Sequence, residues 1–226
     1  MARLKVPLIV VNYKAYPEAV GAKAVALSRT IEEIAKETGV SIAVAPQVTD
    51  LSLVADATSI PLYAQHIDDC EPGAKTGHVT AEALKETGVV GSLINHSERQ
   101  LKLSAIEWLV KKTRALQLNS IVCANNPEVS VAVTMLNPTA VAIEPPELIG
   151  TGTAVSKARP EVVSGAVDLI RKQRNDVAIL CGAGIVNGDD VRSAIKLGVD
   201  GILVASGVVK ARDPRAAVMD LAKALL

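Results

Sequence analysis

The sequence predicts a closed (β/α)8 barrel, and three observations carry that prediction. Short runs of branched aliphatic residues alternate with helix-period stretches eight times along the chain. The runs are apolar at nearly every position, as in 6–12 (VPLIVVN) and 140–143 (AVAI), the pattern of parallel strands buried on both faces. The first strand exits through Asn12-Tyr13-Lys14, without the glycine-rich turn that an open doubly wound sheet usually carries there. No linker or composition break divides the 226 residues, so a single domain over 1–226 is expected.

The predicted strands cover 6–12, 41–46, 61–66, 89–94, 120–124, 140–144, 177–181 and 201–204. Between them, helices are expected over 19–36, 49–57, 80–87, 98–116, 127–135, 160–174 and 188–197, with a last one over 214–226. Helix starts at Thr49, Thr80, Pro127 and Pro214, and glycines at 39, 88 and 198 just past helix ends, are the usual start and stop chemistry. Several of these helices are short, so the barrel is a compact one with trimmed helices. There is no Phe and a single Trp, so the core must be built from Val, Ile, Leu and Ala.

Composition excludes several classes. The 24 Lys+Arg balance 24 Asp+Glu, which leaves no net charge to favour nucleic acid or an anionic membrane. Hydrophobic residues reach 49%, too many for a disordered chain, yet no apolar run approaches the roughly 18 residues of a membrane span. Three cysteines (Cys70, Cys123, Cys181) are odd in number and widely spaced, which disfavours a disulfide framework or zinc ribbon. No secretion signal is read at the start, and a reducing cytoplasm is the expected compartment.

In such barrels the C-terminal strand ends converge on one rim, where active sites sit. The predicted exits offer Asn12 and Lys14 from strand one, Gln65 and His66 from strand three, Asn95 to Glu98 from strand four and Glu144 from strand six. Asn12 and Lys14 share parity on an extended strand, and a lysine in a barrel mouth is a fixed charge for an anionic ligand. A solvated loop lysine fits equally well. His96 stands before a predicted helix that Ser97 would cap and Glu98 would favour through the dipole; a histidine there is expected to stay neutral. Pro145-Pro146 and Gly150-Thr151-Gly152 bracket a loop suited to a moving lid, although an ordinary turn with a solvated Glu144 is the alternative. Glycines at 182 and 184, and Ala205-Ser206-Gly207 after the last strand, leave backbone N–H groups near helix starts, a common phosphate site in these barrels. His66, His78 and the cysteines lack metal-ligand spacing and are expected to be structural or interfacial; Trp108 falls in an apolar helical stripe.

Taken together, the motifs resemble those of the triosephosphate isomerases. V-N-Y-K (11–14), G-A-K-T-G-H (73–78), N-H-S-E-R (95–99) and A-I-E-P-P…I-G-T-G (142–152) occur in the family's order across the whole chain. Shortness, Glu147 in place of the lid tryptophan, Gln100, and C-G-A-G-I at 181–185 make it similar to the compact archaeal branch. The resemblance implies a TIM barrel that interconverts dihydroxyacetone phosphate and D-glyceraldehyde 3-phosphate. It implies Glu144 as base and neutral His96 as electrophile, a pairing known for the family rather than read from spacing here. Lys14 and Asn12 would stabilise the enediolate, and Ile149, Gly150, Gly182, Gly184, Ala205 and Ser206 would hold the phosphate. No metal or organic cofactor is implied, because a proton shift needs only an acid, a base and an oxyanion site. It further implies a homotetramer, with the 73–78 loop and its Thr76 tip reaching a neighbouring subunit. Two other classes stay open on the residues alone: a different phosphate-binding barrel enzyme, and a non-catalytic barrel used for assembly.

Overall fold

The computed structural model describes residues 4–145 and 154–226, the side chain of Val155 aside. Eight strands form one parallel sheet: β1 (Leu8–Asn12), β2 (Ser41–Ala45), β3 (Tyr63–Ala64), β4 (Gly91–Ile94), β5 (Asn119–Ala124), β6 (Ala140–Ile143), β7 (Ala178–Cys181) and β8 (Gly201–Val204). Each pairs with its neighbour in sequence, and β1 also pairs with β8. The last seam, between β2 and β3, closes at a single bridge, Val44 to Leu62, where the Val44 N–H donates to the Pro61 carbonyl at 3.0 Å. The result is the (β/α)8 TIM barrel that the alternating pattern predicts.

The strands alternate between two cores because successive side chains point to opposite faces. Ile9 and Val11, Ile42 and Val44, Val122 and Val141 face outward and meet the helices. Leu8 and Val10, Ala43 and Ala45, Tyr63, Leu93, Ile121, Cys123, Ala140, Ala142, Leu180 and Leu203 fill the barrel interior. Small and large residues interleave there, as a narrow closed sheet requires. Gly201 at the base marks the limit of that crowding: a Cβ would stand 2.2 Å from the Leu8 carbonyl oxygen.

Among the described residues, ten α-helices cover the outside: α1 (Ala22–Thr38), α2 (Leu51–Ala57), α3 (Ala81–Glu86), α4 (Leu103–Ala115), α5 (Pro127–Thr134), α6 (Val155–Ala158), α7 (Pro160–Gln173), α8 (Gly188–Lys196), α9 (Ser206–Val209) and α10 (Pro214–Lys223). Their starts follow local chemistry. Thr80, Asn126 and Asp213 each accept the N–H three residues on, and Asn187 forms a capping box with Asp190. Each buried member of the α4 stripe, such as Ile106, Leu109 and Val110, contributes roughly 1.5–3 kcal/mol of transfer free energy.

Three expectations change. The helix predicted from Glu98 begins only at Leu103, because Asn95 folds the intervening segment back on itself: its Oδ1 accepts the Leu101 N–H at 2.8 Å. Ser97 therefore caps no helix. β3 is two residues long instead of six, since Gln65 leaves the ladder and sends its side chain to the carbonyls of Lys14 and Ala45. The short helices α6 and α9 are not foreseen by periodicity, which needs more than four residues to show itself.

Candidate active site

The interior parity of the strands continues into the C-terminal mouth. Two residues beyond Val10, Tyr63, Leu93, Ala142, Leu180 and Leu203 stand Asn12, Gln65, Asn95, Glu144, Gly182 and Ala205. The inward positions thus change from apolar to mostly polar within one step of the pleat. Asn12 is 4% exposed and Glu144 5%, so both are desolvated at the floor of the mouth.

His96 stands one residue off that parity, and the backbone at the rim leaves the extended conformation at two places. Asn95 has φ 61° and Lys14 φ 48°, both in the left-handed region. Asparagine tolerates that region; lysine does so at a cost of order 1–3 kcal/mol that its surroundings must offset. The Lys14 N–H donates to Asn12 Oδ1 at 2.9 Å, and Gln65 Nε2 donates to the Lys14 carbonyl at 3.0 Å. Asn95 Nδ2 donates to the Cys123 carbonyl at 2.9 Å, fixing the turn that follows. His96, the next residue, is thereby swung from the outer face into the mouth.

His96 lies 3.7 Å from Glu144, measured from Nε2 to Oε1. Its Nδ1 accepts the Glu98 N–H at 3.2 Å. A doubly protonated imidazolium has no lone pair to accept that bond, so this geometry belongs to a neutral ring with its proton on Nε2, facing the mouth. The helix start expected behind His96 is here a turn, and one backbone N–H of that turn meets the ring. Glu98 also differs from its predicted dipole role: its carboxylate takes the Lys14 ammonium at 2.8 Å, across 84 positions of sequence.

Glu144 Oε2 is buried with no hydrogen-bond partner among the described residues. Its neighbours are the thiols of Cys123 and Cys181. Burial pushes the Cys123 thiol well up, and the Glu144 charge pushes it further. The same two causes, with a contribution from Asp190, push Cys181 up to about 12. Both thiols therefore stay protonated beside the carboxylate and are not nucleophiles. Gly182 allows Glu144 its place: a Cβ there would fall 2.5 Å from Glu144 Cγ. The Gly182 N–H is spent on the Ile143 carbonyl at 2.9 Å, so the amide expected to meet a phosphate is engaged in the sheet.

One cavity gathers most of the predicted set. Asn12, Lys14, His96, Glu144, Gly184, Ala205 and Ser206 all line it, and Tyr16, Ala183 and Ile185 are among the other residues of its wall. Ile149 and Gly150 lie outside the described residues. The turn at 183–186 carries left-handed Ala183 (φ 67°) and Gly184 (φ 73°) and is held by Asp190, whose Oδ2 accepts the Val186 and Asn187 N–H groups at 2.9 and 3.2 Å. Lys157 pairs with the other oxygen of Asp190 at 2.6 Å. Across the mouth, α9 starts at Ser206, and its leading N–H groups have no partner within the helix. Sequence reading overlooked Asp190 and Tyr16; the Asn-x-x-Asp capping box was the available signal for the first, and none existed for the second.

The 71–78 segment is exposed along its length. Asp68 anchors its base, accepting from Val79 N–H, His66 Nε2 and Arg99, the last residue of the N-H-S-E-R motif. His66 thus spends its Nε2 on Asp68 at the base of this segment. Trp108 packs at the core margin with the Lys112 ammonium 5.5 Å from its ring centroid.

A parallel barrel with a buried carboxylate, an imidazole and a lysine sharing its C-terminal mouth has the layout of a barrel enzyme. The family model "Triosephosphate isomerase" matches residues 7–225, and the chain belongs to the triosephosphate isomerase family. It is 49% identical over 216 residues to the triosephosphate isomerase of Methanocaldococcus jannaschii, covering 96% of this chain and 99% of that one. Identity to the Pyrobaculum arsenaticum protein of the same name is also 49%, over 99% of this chain and 100% of that one. With Methanosarcina acetivorans it is 48%, over 95% and 97%. Membership of this family rejects both the unrelated phosphate-binding barrel and the non-catalytic one.

Proposed function

We propose that the protein interconverts dihydroxyacetone phosphate and D-glyceraldehyde 3-phosphate through an enediolate. The observation that carries this reading is the 3.7 Å approach of His96 Nε2 to Glu144 Oε1 in a cavity that Lys14 also lines. Glu144 removes the proton alpha to the carbonyl and returns it to the adjacent carbon. Its buried, under-bonded carboxylate suits a base, because little solvation must be lost when substrate arrives. His96 donates from Nε2 to the carbonyl oxygen and passes protons between the two enediolate oxygens. Lys14 and Asn12 stabilise the charge that develops there. Gly184, Ala205 and Ser206 receive the phosphate, with the short helix α9 behind them in the arrangement common to phosphate-binding barrels. Ile149 and Gly150, outside the described residues, would add backbone N–H contacts to the phosphate. The chemistry calls on no metal or organic cofactor.

The chain is further proposed to work as a single domain and to assemble as a homotetramer in the cytoplasm. The exposed 73–78 loop would serve one interface, and exposed Leu103 and Met135 are apolar surface available to another. Turnover of glyceraldehyde 3-phosphate in a coupled assay, with inhibition by 2-phosphoglycolate, tests the activity. A pure, folded, inactive enzyme would refute it. Sedimentation velocity tests the assembly, and a monomer at micromolar concentration would refute that part.

A further inference from the structure

Lys14 enters the mouth already paired with Glu98, so its charge is largely balanced before any ligand arrives. A second ammonium stands at the same rim. Lys210, exposed at the end of α9, holds its Nζ 4.3 Å from the centroid of the Tyr16 ring, and Tyr16 is one of the residues that line the cavity. Its own N–H closes the last turn of α9 on the Ser206 carbonyl at 3.1 Å, so its backbone is tied to a residue of the proposed phosphate subsite. The ring is the interaction that Lys210 makes among the described residues, with no carboxylate to balance it. Stacking on an aromatic face restrains a flexible side chain without neutralising it.

We infer that Lys210 is a positioning residue for the phosphate dianion: its ammonium, parked on Tyr16, sets the positive potential that draws the substrate's phosphate to the α9 side of the mouth. The inference rests on the isomerase reading and specifies how that site recognises charge. A fixed cation within one ring's breadth of the wall lies inside the screening length of about 8–10 Å at moderate salt, so its field reaches the subsite. It touches no reacting atom and should leave the proton transfers alone.

The test uses the full chain in the coupled glyceraldehyde 3-phosphate assay at low and high ionic strength, with 2-phosphoglycolate as inhibitor. Lys210→Gln is expected to lower kcat/KM roughly three- to tenfold at low salt and to weaken inhibition by a similar factor, with kcat within about twofold. The gap should close near 1 M salt, where the screening length is about 3 Å. Lys210→Arg should restore most of the loss, and Lys210→Glu should deepen it. Equal constants for Lys210→Gln and wild type at low salt would overturn the inference, as would a loss that persists unchanged at high salt, which would mark a packing role. Inactive wild-type enzyme would overturn the isomerase reading along with it, whereas active wild type with an indifferent Lys210→Gln overturns this inference alone.

Discussion

The two ends of the barrel are built from the same strands yet treat polar groups in opposite ways. At the N-terminal end, Asp200 accepts the Ile179 N–H at 2.7 Å and the Arg171 guanidinium at 2.5 Å, and Ser120 and Thr139 exchange side chain-to-backbone bonds at 3.1 and 3.2 Å. At the C-terminal end, Glu144 keeps an oxygen buried with no hydrogen-bond partner among the described residues. Left-handed backbone occurs at both ends, at Lys14, Asn95 and Ala183 here and at Gln117 and Asn137 there, so it is the polar groups that differ. Satisfied polar groups stabilise, whereas unsatisfied ones persist only where the rest of the fold supports them. The difference separates the end that holds the barrel together from the end that is free to do chemistry.

The sharpest way to break that contrast is at Glu144. Glu144→Asp withdraws the carboxylate by one methylene, and kcat should fall by about a hundredfold or more with KM little changed. Activity within tenfold of wild type in steady-state assays would remove Glu144 as the base. His96→Gln should lose on the order of 10²- to 10⁴-fold in kcat, because an amide cannot pass a proton between two oxygens; an unimpaired variant would take the imidazole out of the mechanism.

A pair of glycine substitutions compares the ends directly. Gly182→Ala places a methyl against the flexible Glu144 side chain, while Gly201→Ala drives one into the Leu8 backbone. The first should cost at least tenfold in kcat with a modest drop in Tm. The second should cost about 3 kcal/mol or more of stability, with near-normal kcat in the molecules that remain folded. Chemical denaturation beside the activity assay decides it, and the reverse ranking would collapse the distinction. The smallest effect belongs to Asp200→Asn. Asp200 is partly exposed, so a loss of about 1 kcal/mol in denaturant midpoints and kcat within twofold are expected. A tenfold change in kcat there would mean the two ends are coupled.

Much of this architecture is written in local pattern. Eight apolar runs, in order, with polar or glycine punctuation, suffice to place every strand, because both faces of a parallel strand must be buried. Capping residues such as Thr80, Asn126 and Asp213 locate helix starts within a residue or so, since those bonds close over three positions. The candidates Asn12, Lys14, His96 and Glu144 were also readable, from their place at strand exits and from the family motifs. The role of Glu98 was not: its partner Lys14 is 84 residues away, and no local rule connects them. The start of α4 was misplaced for a related reason, because Asn95 holds Leu101 by a side chain-to-backbone bond that competes with the helix.

By itself the sequence settled the class of fold, the order of its units and the residue types available at the rim, because hydrophobic period and capping act over a few residues. Tertiary structure decided which way His96 faces, which backbone N–H meets its Nδ1, what restrains Lys14 and why position 182 must be glycine. Those outcomes depend on backbone that bends against its preference and on contacts between distant strands, which exist only once the barrel has closed.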